Sequence, residues 1–170
     1  MPKILESVRE QLLLTARAQI KQNGYAKTTI RSVAAECGIA VGTVYNYFPS
    51  KDMLIASFMA EDWRACFEAM QQGENAPKTR LNAIYTALRS FIDGHRDLFM
   101  DPEAARVYAA VFSARHSQLR SQLAGLVLPL CAQKPDPAYL STFIAEALLT
   151  WTVEGTPFAQ LYPVISKLIL

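Results

Sequence analysis

Hydrophobic residues recur at steps of three and four positions along most of the chain, and no stretch keeps the strict alternation of a strand. They recur at every fourth position from Ile4 to Ile20, which predicts an amphipathic helix over about residues 3–22. The same spacing predicts a helix from Ser50 to about Gln72. We therefore predict an all-α protein of about nine helices.

Proline marks the helix starts in the second half of the chain. A capping side chain followed by proline suits the first positions of a helix, and it occurs at Asp101-Pro102, Asp136-Pro137 and Thr156-Pro157. The last two pairs predict helices over about 137–154 and 157–169. A separate helix is expected to begin near Ser117, with Pro129 kinking or ending it.

The segment from Thr28 to Lys51 has the pattern of two short helices joined by a tight turn. Thr29 is a good N-cap for the first helix, because its hydroxyl can accept a free backbone N–H. Gly38 is placed to end that helix in the left-handed conformation. The second helix is expected over Val41–Tyr47, with Val44 facing inward.

The outer face of that second helix carries hydroxyl, amide and aromatic groups and no charge. A recognition helix presents such groups to base edges in the DNA major groove. Gly42 would let the backbone approach another molecule closely, and Lys51 at the start of the next helix suits a phosphate. The predicted DNA-binding residues are Thr29, Arg31, Val41, Gly42, Thr43, Tyr45, Asn46, Tyr47 and Lys51.

Charge is unevenly divided along the chain, although the net charge is only +2 at pH 7. Residues 1–51 hold seven Lys and Arg against three acids, a net +4, and residues 52–170 hold ten against twelve, a net −2. The basic part of the chain therefore contains the predicted two-helix segment, as a phosphate-binding surface requires. Arg9 and Arg17 are expected on a solvated face of the first helix, and Glu61-Asp62 on a solvated face of the fourth.

Six short motifs in the first third of the chain are similar to one known signature. They are Gly24-Tyr25, Thr28-Thr29, Val33-Ala34, Gly38-Ile39, the run from Gly42 to Phe48, and Ser50-Lys51-Asp52. Together they resemble the N-terminal signature of the tetracycline-repressor (TetR) family of transcriptional regulators. Ala40 departs from it, since the family commonly has Ser there.

The resemblance implies a ligand-responsive DNA-binding regulator, most simply a repressor that binds a near-palindromic operator as a homodimer. Residues 1–49 are then the three-helix DNA-binding domain, and residues 50–170 are a helical bundle for ligand sensing and dimerisation. Double-stranded operator DNA, a second copy of the chain and a small-molecule inducer are the expected partners.

The last two predicted helices are apolar on nearly every side, so both need cover on two sides. A dimer interface and a deeply buried core helix both satisfy that pattern, and the small size of the chain favours the dimer. The predicted interface residues are Phe143, Ala147, Leu149, Trp151, Phe158, Leu161, Tyr162 and Ile165.

A small-molecule pocket is the other site that the second half of the chain suggests. Aromatic residues of several helices could line it, with two basic residues at its edge, although ordinary core packing explains each of them singly. The candidate lining is Trp63, Phe67, Met70, Tyr85, Arg89, Tyr108, Phe112 and His116.

Other chemistry has little support. The chain has only two histidines, at no metal-ligand spacing, and no phosphate loop or hydrolase motif, so we expect no enzyme, cofactor or metal. Three widely spaced cysteines favour a reducing cytoplasm, and the longest apolar run, Leu123 to Ala132, is too short to cross a membrane. A helical dimer that binds protein without specific DNA affinity is the alternative function, and a helical-bundle enzyme is the third.

Overall fold

A computed structural model describes the backbone of residues 2–72 and 76–170, and the side chains of residues 7–72, 76–105 and 117–170. Within those ranges the chain forms nine α-helices and one 3-10 helix and no strand, which confirms the predicted all-α class. The helices are α1 (Pro2–Lys27), α2 (Ile30–Glu36), α3 (Val41–Tyr47), α4 (Lys51–Gln71), α5 (Pro77–Gly94), α6 (Arg96–Met100), α7 (Pro102–Val127), α8 (Pro137–Val153) and α9 (Phe158–Ile169). The 3-10 helix spans Leu128–Cys131.

The chain separates into two compact units. The first holds Met1–Trp63 and His95–Ala110, and the second holds Arg64–Gly94 and Val111–Leu170. Helices α4 and α7 contribute residues to both units. The first unit keeps the start of α4 together with α1 to α3, so the functional boundary between residues 49 and 50 stays a prediction.

The first unit packs α1, α2, α3, the first part of α4 and α6 around one core. Gly24 interrupts α1 with φ of 78°, at the place where the first helix was expected to end. Phe58 of α4 is buried in this unit. The other buried apolar side chains include Leu12, Ala16, Ile20, Val33, Val44 and Leu54.

The second unit is built from α5, α8 and α9, the 3-10 helix, and the remaining parts of α4 and α7. Helix α5 packs on both α8 and α9 and buries Leu81, Ile84 and Leu88 at steps of three and four residues. Asp136 caps α8, since its Oδ1 accepts the backbone N–H of Tyr139 at 3.2 Å.

One predicted helix start and one predicted helix cap are wrong. The separate helix expected near Ser117 is part of α7, because no proline lies between Pro102 and Pro129 to interrupt the backbone. Helix α9 begins at Phe158 with Pro157 as its N-cap, and no side chain caps it. The five-residue α6 was not predicted, since so short a helix carries no measurable period.

Candidate nucleic-acid interface

Local hydrogen bonds and backbone conformation fix both ends of α2 and the turn that leads to α3. Thr29 Oγ1 accepts the backbone N–H of Ser32 at 3.0 Å, and Ser32 Oγ accepts that of Thr29 at 3.0 Å, so the predicted N-cap is confirmed as a capping box. Gly38 has φ of 67°, and the N–H of Ile39 donates to the carbonyl of Ala34 at 3.0 Å. This pairing is a Schellman motif, so α2 ends as predicted.

Helix α3 is anchored through one fully buried side chain. Val44 faces the core, as expected, while Gly42, Tyr45 and Asn46 are exposed. The Tyr45 side chain is 51% exposed and Tyr47 is half-buried. The polar face predicted for a recognition helix therefore lies open on the surface of this unit.

An open hollow of about 450 Å³ lies beside that face, and we call it the α2–α4 hollow. It brings together the start of α2, the outer face of α3 and the start of α4. Arg31 and Lys51 contribute the two cations of its wall. The complete lining is Thr28, Thr29, Ile30, Arg31, Tyr45, Pro49, Ser50 and Lys51. A hollow with two cations and several hydroxyls suits the sugar-phosphate backbone of a nucleic acid.

The start of α4 is capped and tied to the end of α1. Ser50 Oγ accepts the backbone N–H of Met53 at 3.1 Å, as expected of an N-cap. The ammonium of Lys51 donates to the carbonyl of Tyr25 at 3.0 Å. The hydroxyl of Tyr25 donates to Asp52 at 2.5 Å. Sequence reasoning did not assign Tyr25 or Asp52 to this site, although both lie in the motifs Gly24-Tyr25 and Ser50-Lys51-Asp52.

The charged residues expected on solvated faces of α1 and α4 form ion pairs with each other. Arg9 forms an ion pair with Glu61 at 2.6 Å, and Arg17 forms one with Asp62 at 2.5 Å. Buried His95 also lies against Asp62, with Nε2 3.0 Å from Oδ2. These contacts join α1 to α4 within the first unit, although the paired side chains of Arg9, Arg17, Glu61 and Asp62 remain partly exposed to solvent.

Comparison with known proteins identifies the family. Residues 12–58 match the model described as bacterial regulatory proteins, tetR family. The chain is 34% identical over 175 residues to the HTH-type transcriptional regulator BetI of Paraburkholderia xenovorans (strain LB400), covering 93% of this chain and 89% of BetI. The chain belongs to the TetR family. It is therefore a DNA-binding transcriptional regulator with a helix-turn-helix, as the sequence predicted.

This TetR-family member is also similar to a second relative and to a solved structure. The chain is 31% identical over 165 residues to the uncharacterized regulator YuxN of Bacillus subtilis (strain 168), covering 91% of this chain but 53% of YuxN, so it spans about half of that relative. A solved structure of Thermus thermophilus FadR, a TetR-family repressor in complex with lauroyl-CoA, matches with a TM-score of 0.56 and 20% identity, covering 95% of this chain and 92% of that one.

Some of the predicted interface residues of this TetR-family chain are exposed, and others are buried. Phe143 is 53% exposed, and Leu149, Trp151 and several others are half-buried. Leu161 and Ile165 are only 2% and 1% exposed, because α9 turns them into the core of the second unit. Those two residues therefore cannot meet a partner through this face. The large apolar side chains that are exposed on α8 and α9 are Tyr139, Phe143, Val153 and Val164.

The predicted pocket residues are only partly described. Met70 is buried and Phe67 is half-buried in the second unit. The hydroxyl of Tyr85 donates to the carbonyl of Thr156 at 3.1 Å, and Arg89 pairs with Asp93 at 3.0 Å. Half-buried Trp63 belongs to the first unit. Tyr108, Phe112 and His116 lie outside the described side chains, so a common pocket stays a prediction.

The described residues offer neither a metal site nor a membrane span. In the part of the chain that is described, His, Cys, Asp and Glu side chains form no group of three that could hold a metal ion. None of the described helices has the length and apolar character needed to cross a lipid bilayer.

Proposed function

We propose that this TetR-family regulator is a ligand-responsive repressor that binds a near-palindromic operator as a homodimer. The observation that carries the DNA-binding part is the open face of α3 beside the α2–α4 hollow. Exposed Tyr45 and Asn46 offer groups for base edges, while Arg31 and Lys51 offer cations for phosphates. The cations for the phosphates and the uncharged groups for the base edges thus lie on neighbouring helices of one unit.

The dimer is supported by the apolar surface of the second unit. Tyr139 and Phe143 lie one helical turn apart on α8, and Val164 lies exposed on α9. A two-fold dimer through this surface would present two recognition helices to half-sites about 34–36 Å apart, one turn of DNA. That symmetry is the reason to expect a near-palindromic operator.

The test is selection of bound duplexes from a random pool, followed by affinity measurements across a salt series. We expect a selected near-palindromic sequence that binds far more tightly than unrelated duplex at matched salt. Affinity for both should fall steeply with salt, since lysine and arginine contacts release counterions from the phosphates. Equal affinity for selected and unrelated duplexes would favour a protein-binding module and would overturn the proposed function.

Ligand response is supported by the fold shared with FadR, which was solved with lauroyl-CoA, and by the apolar and aromatic residues of the second unit. Lauroyl-CoA is therefore the first probe, added to free and to operator-bound protein. A ligand that releases DNA must itself bind less tightly when DNA is present, by the same factor, typically about 5–150-fold. Equal ligand affinity in the two states would contradict an inducer role for that probe.

A further inference from the structure

The Lys51 side chain is held in place by a single residue of α1. Its Nζ lies 3.5 Å from the centroid of the Tyr25 ring and donates to the Tyr25 carbonyl oxygen at 3.0 Å. The ring face attracts the cation through its quadrupole, and a separation below about 6 Å is close enough for that attraction. Ring and carbonyl together fix both the place and the direction of the ammonium.

Tyr25 is itself held firmly. Its side chain is 2% exposed, and its hydroxyl donates to Asp52 Oδ1 at 2.5 Å. Burial, followed by the Asp52 carboxylate, raises the pKa of Tyr25 far above its ordinary value of 10.0. The phenol therefore stays protonated and keeps donating to Asp52 at every pH at which the protein would be assayed.

The arrangement leaves Lys51 able to bind an anion. An ammonium has three N–H donors, and the Tyr25 carbonyl accepts one of them. A second faces the Tyr25 ring, 3.5 Å from its centroid, which leaves the third for the α2–α4 hollow, whose wall includes Lys51 and Ser50. A flexible lysine would have to be ordered when DNA binds, and that ordering weakens binding. A lysine already held on a ring avoids much of that cost.

We propose that Tyr25 is a positioning residue that holds the Lys51 ammonium at the α2–α4 hollow, ready for a DNA phosphate. The proposal rests on the DNA-binding function proposed above. It assigns to the aromatic ring of Tyr25 a role in affinity for every DNA sequence, because a phosphate contact carries no sequence information.

A double-mutant cycle tests the proposal with Tyr25→Leu, Lys51→Ala and the combined variant. The affinity of each variant is measured for the duplex selected by the wild-type protein and for an unrelated duplex of equal length. Tyr25→Leu should weaken binding to both duplexes about three- to tenfold, the scale of a cation–π contact. In the Lys51→Ala background it should cause no further loss. Tyr25→Phe, the matched control, keeps the ring and the carbonyl and should bind within about twofold of wild type.

Two outcomes would overturn the positioning role. One is an equal loss from Tyr25→Leu with and without Lys51, which would mean that Tyr25 acts only through the stability of the fold. The other is measured on the wild-type protein, so this test can be made even if Tyr25→Leu fails to fold. The Lys51 side-chain methylene protons next to the ammonium, assigned by comparison with Lys51→Arg, should show an upfield NMR ring-current shift, and an ordinary lysine shift would contradict the geometry. Failure of the proposed function looks different, since the wild-type protein would then show no preference for any duplex.

Discussion

Tyr45 and Lys51 line the same hollow but should contribute to DNA binding in different ways. Lys51→Ala should weaken binding to all sequences alike, because one phosphate contact is lost. The slope of the logarithm of the binding constant against the logarithm of the salt concentration should become shallower by about one.

Tyr45→Phe removes only a hydroxyl from an exposed ring, so it should cost about 1–3 kcal/mol of binding free energy on the selected duplex and little on unrelated DNA. Thr43→Ala should behave like Tyr45→Phe. Binding titrations at several salt concentrations measure both effects, and a uniform loss from Tyr45→Phe would remove it from the base-reading residues.

Cys66 is predicted to be an unreactive thiol. Burial raises its pKa from 9.0 to about 11, and its Sγ lies 3.3 Å from the Ala87 carbonyl oxygen, to which the S–H donates. Since the thiolate is the nucleophile, alkylation of Cys66 at pH 8 should be far slower in folded protein than in denaturant, and should accelerate as the pH approaches 11. The folded state holds this proton more tightly than the unfolded state. The thiol's contribution to stability is therefore complete below pH 9 and is lost as the pH rises towards 11. Mass spectrometry of peptides after timed alkylation gives the rates, and rapid labelling at pH 8 would contradict the assignment.

At the residue scale, sequence reasoning found the groups but not their partners. Arg9 and Arg17 were recognised as lying off the apolar stripe of α1, yet their carboxylate partners lie 52 and 45 residues away along the chain. No local pattern encodes such a pairing, because it depends on how α4 lies against α1. The ring of Tyr25 beneath Lys51 escaped prediction for the same reason.

At the scale of elements, the helix-turn-helix contains two glycines that should respond oppositely to alanine. Gly38 has φ of 67°, where a side chain is strained, so Gly38→Ala should destabilise the protein by about 1–2 kcal/mol. Gly42 lies inside α3 without a positive φ and has open space where a Cβ would lie. Gly42→Ala should therefore stabilise by about 0.5–1 kcal/mol. Denaturant unfolding measures both changes.

The same Gly42→Ala variant separates stability from binding. If the α3 backbone approaches DNA closely at Gly42, the added methyl group should weaken DNA binding although the protein is more stable. Unchanged affinity would mean that Gly42 is only a helix residue, and a loss of stability would contradict the open space around it.

At the scale of the whole molecule, the exposed apolar face of α8 and α9 should hold a dimer together. Phe143→Glu should give monomers and greatly weakened operator binding, because a charge would be buried in the interface. Phe143 is a sharper test than Leu149→Glu, since Leu149 is half-buried in its own protomer and its change would also destabilise the fold. Met100→Glu is the control, because Met100 is 73% exposed on α6 of the other unit. Analytical ultracentrifugation reports the assembly, and a wild-type monomer at micromolar concentration would contradict the proposed dimer.

The sequence by itself determined the class of the protein, most helix bounds, the capping box at Thr29, the left-handed turn at Gly38 and the inward Val44. Each of these depends on residues within a few positions of one another, through backbone geometry and helical period. Only the tertiary structure decided which apolar residues of α8 and α9 turn outward, because both helices are apolar on nearly every side and their period leaves the choice open. It also decided that Tyr25 lies beneath Lys51 and that the acids of α4 neutralise the arginines of α1. Those pairings join residues distant in sequence, so they exist only once the helices have packed.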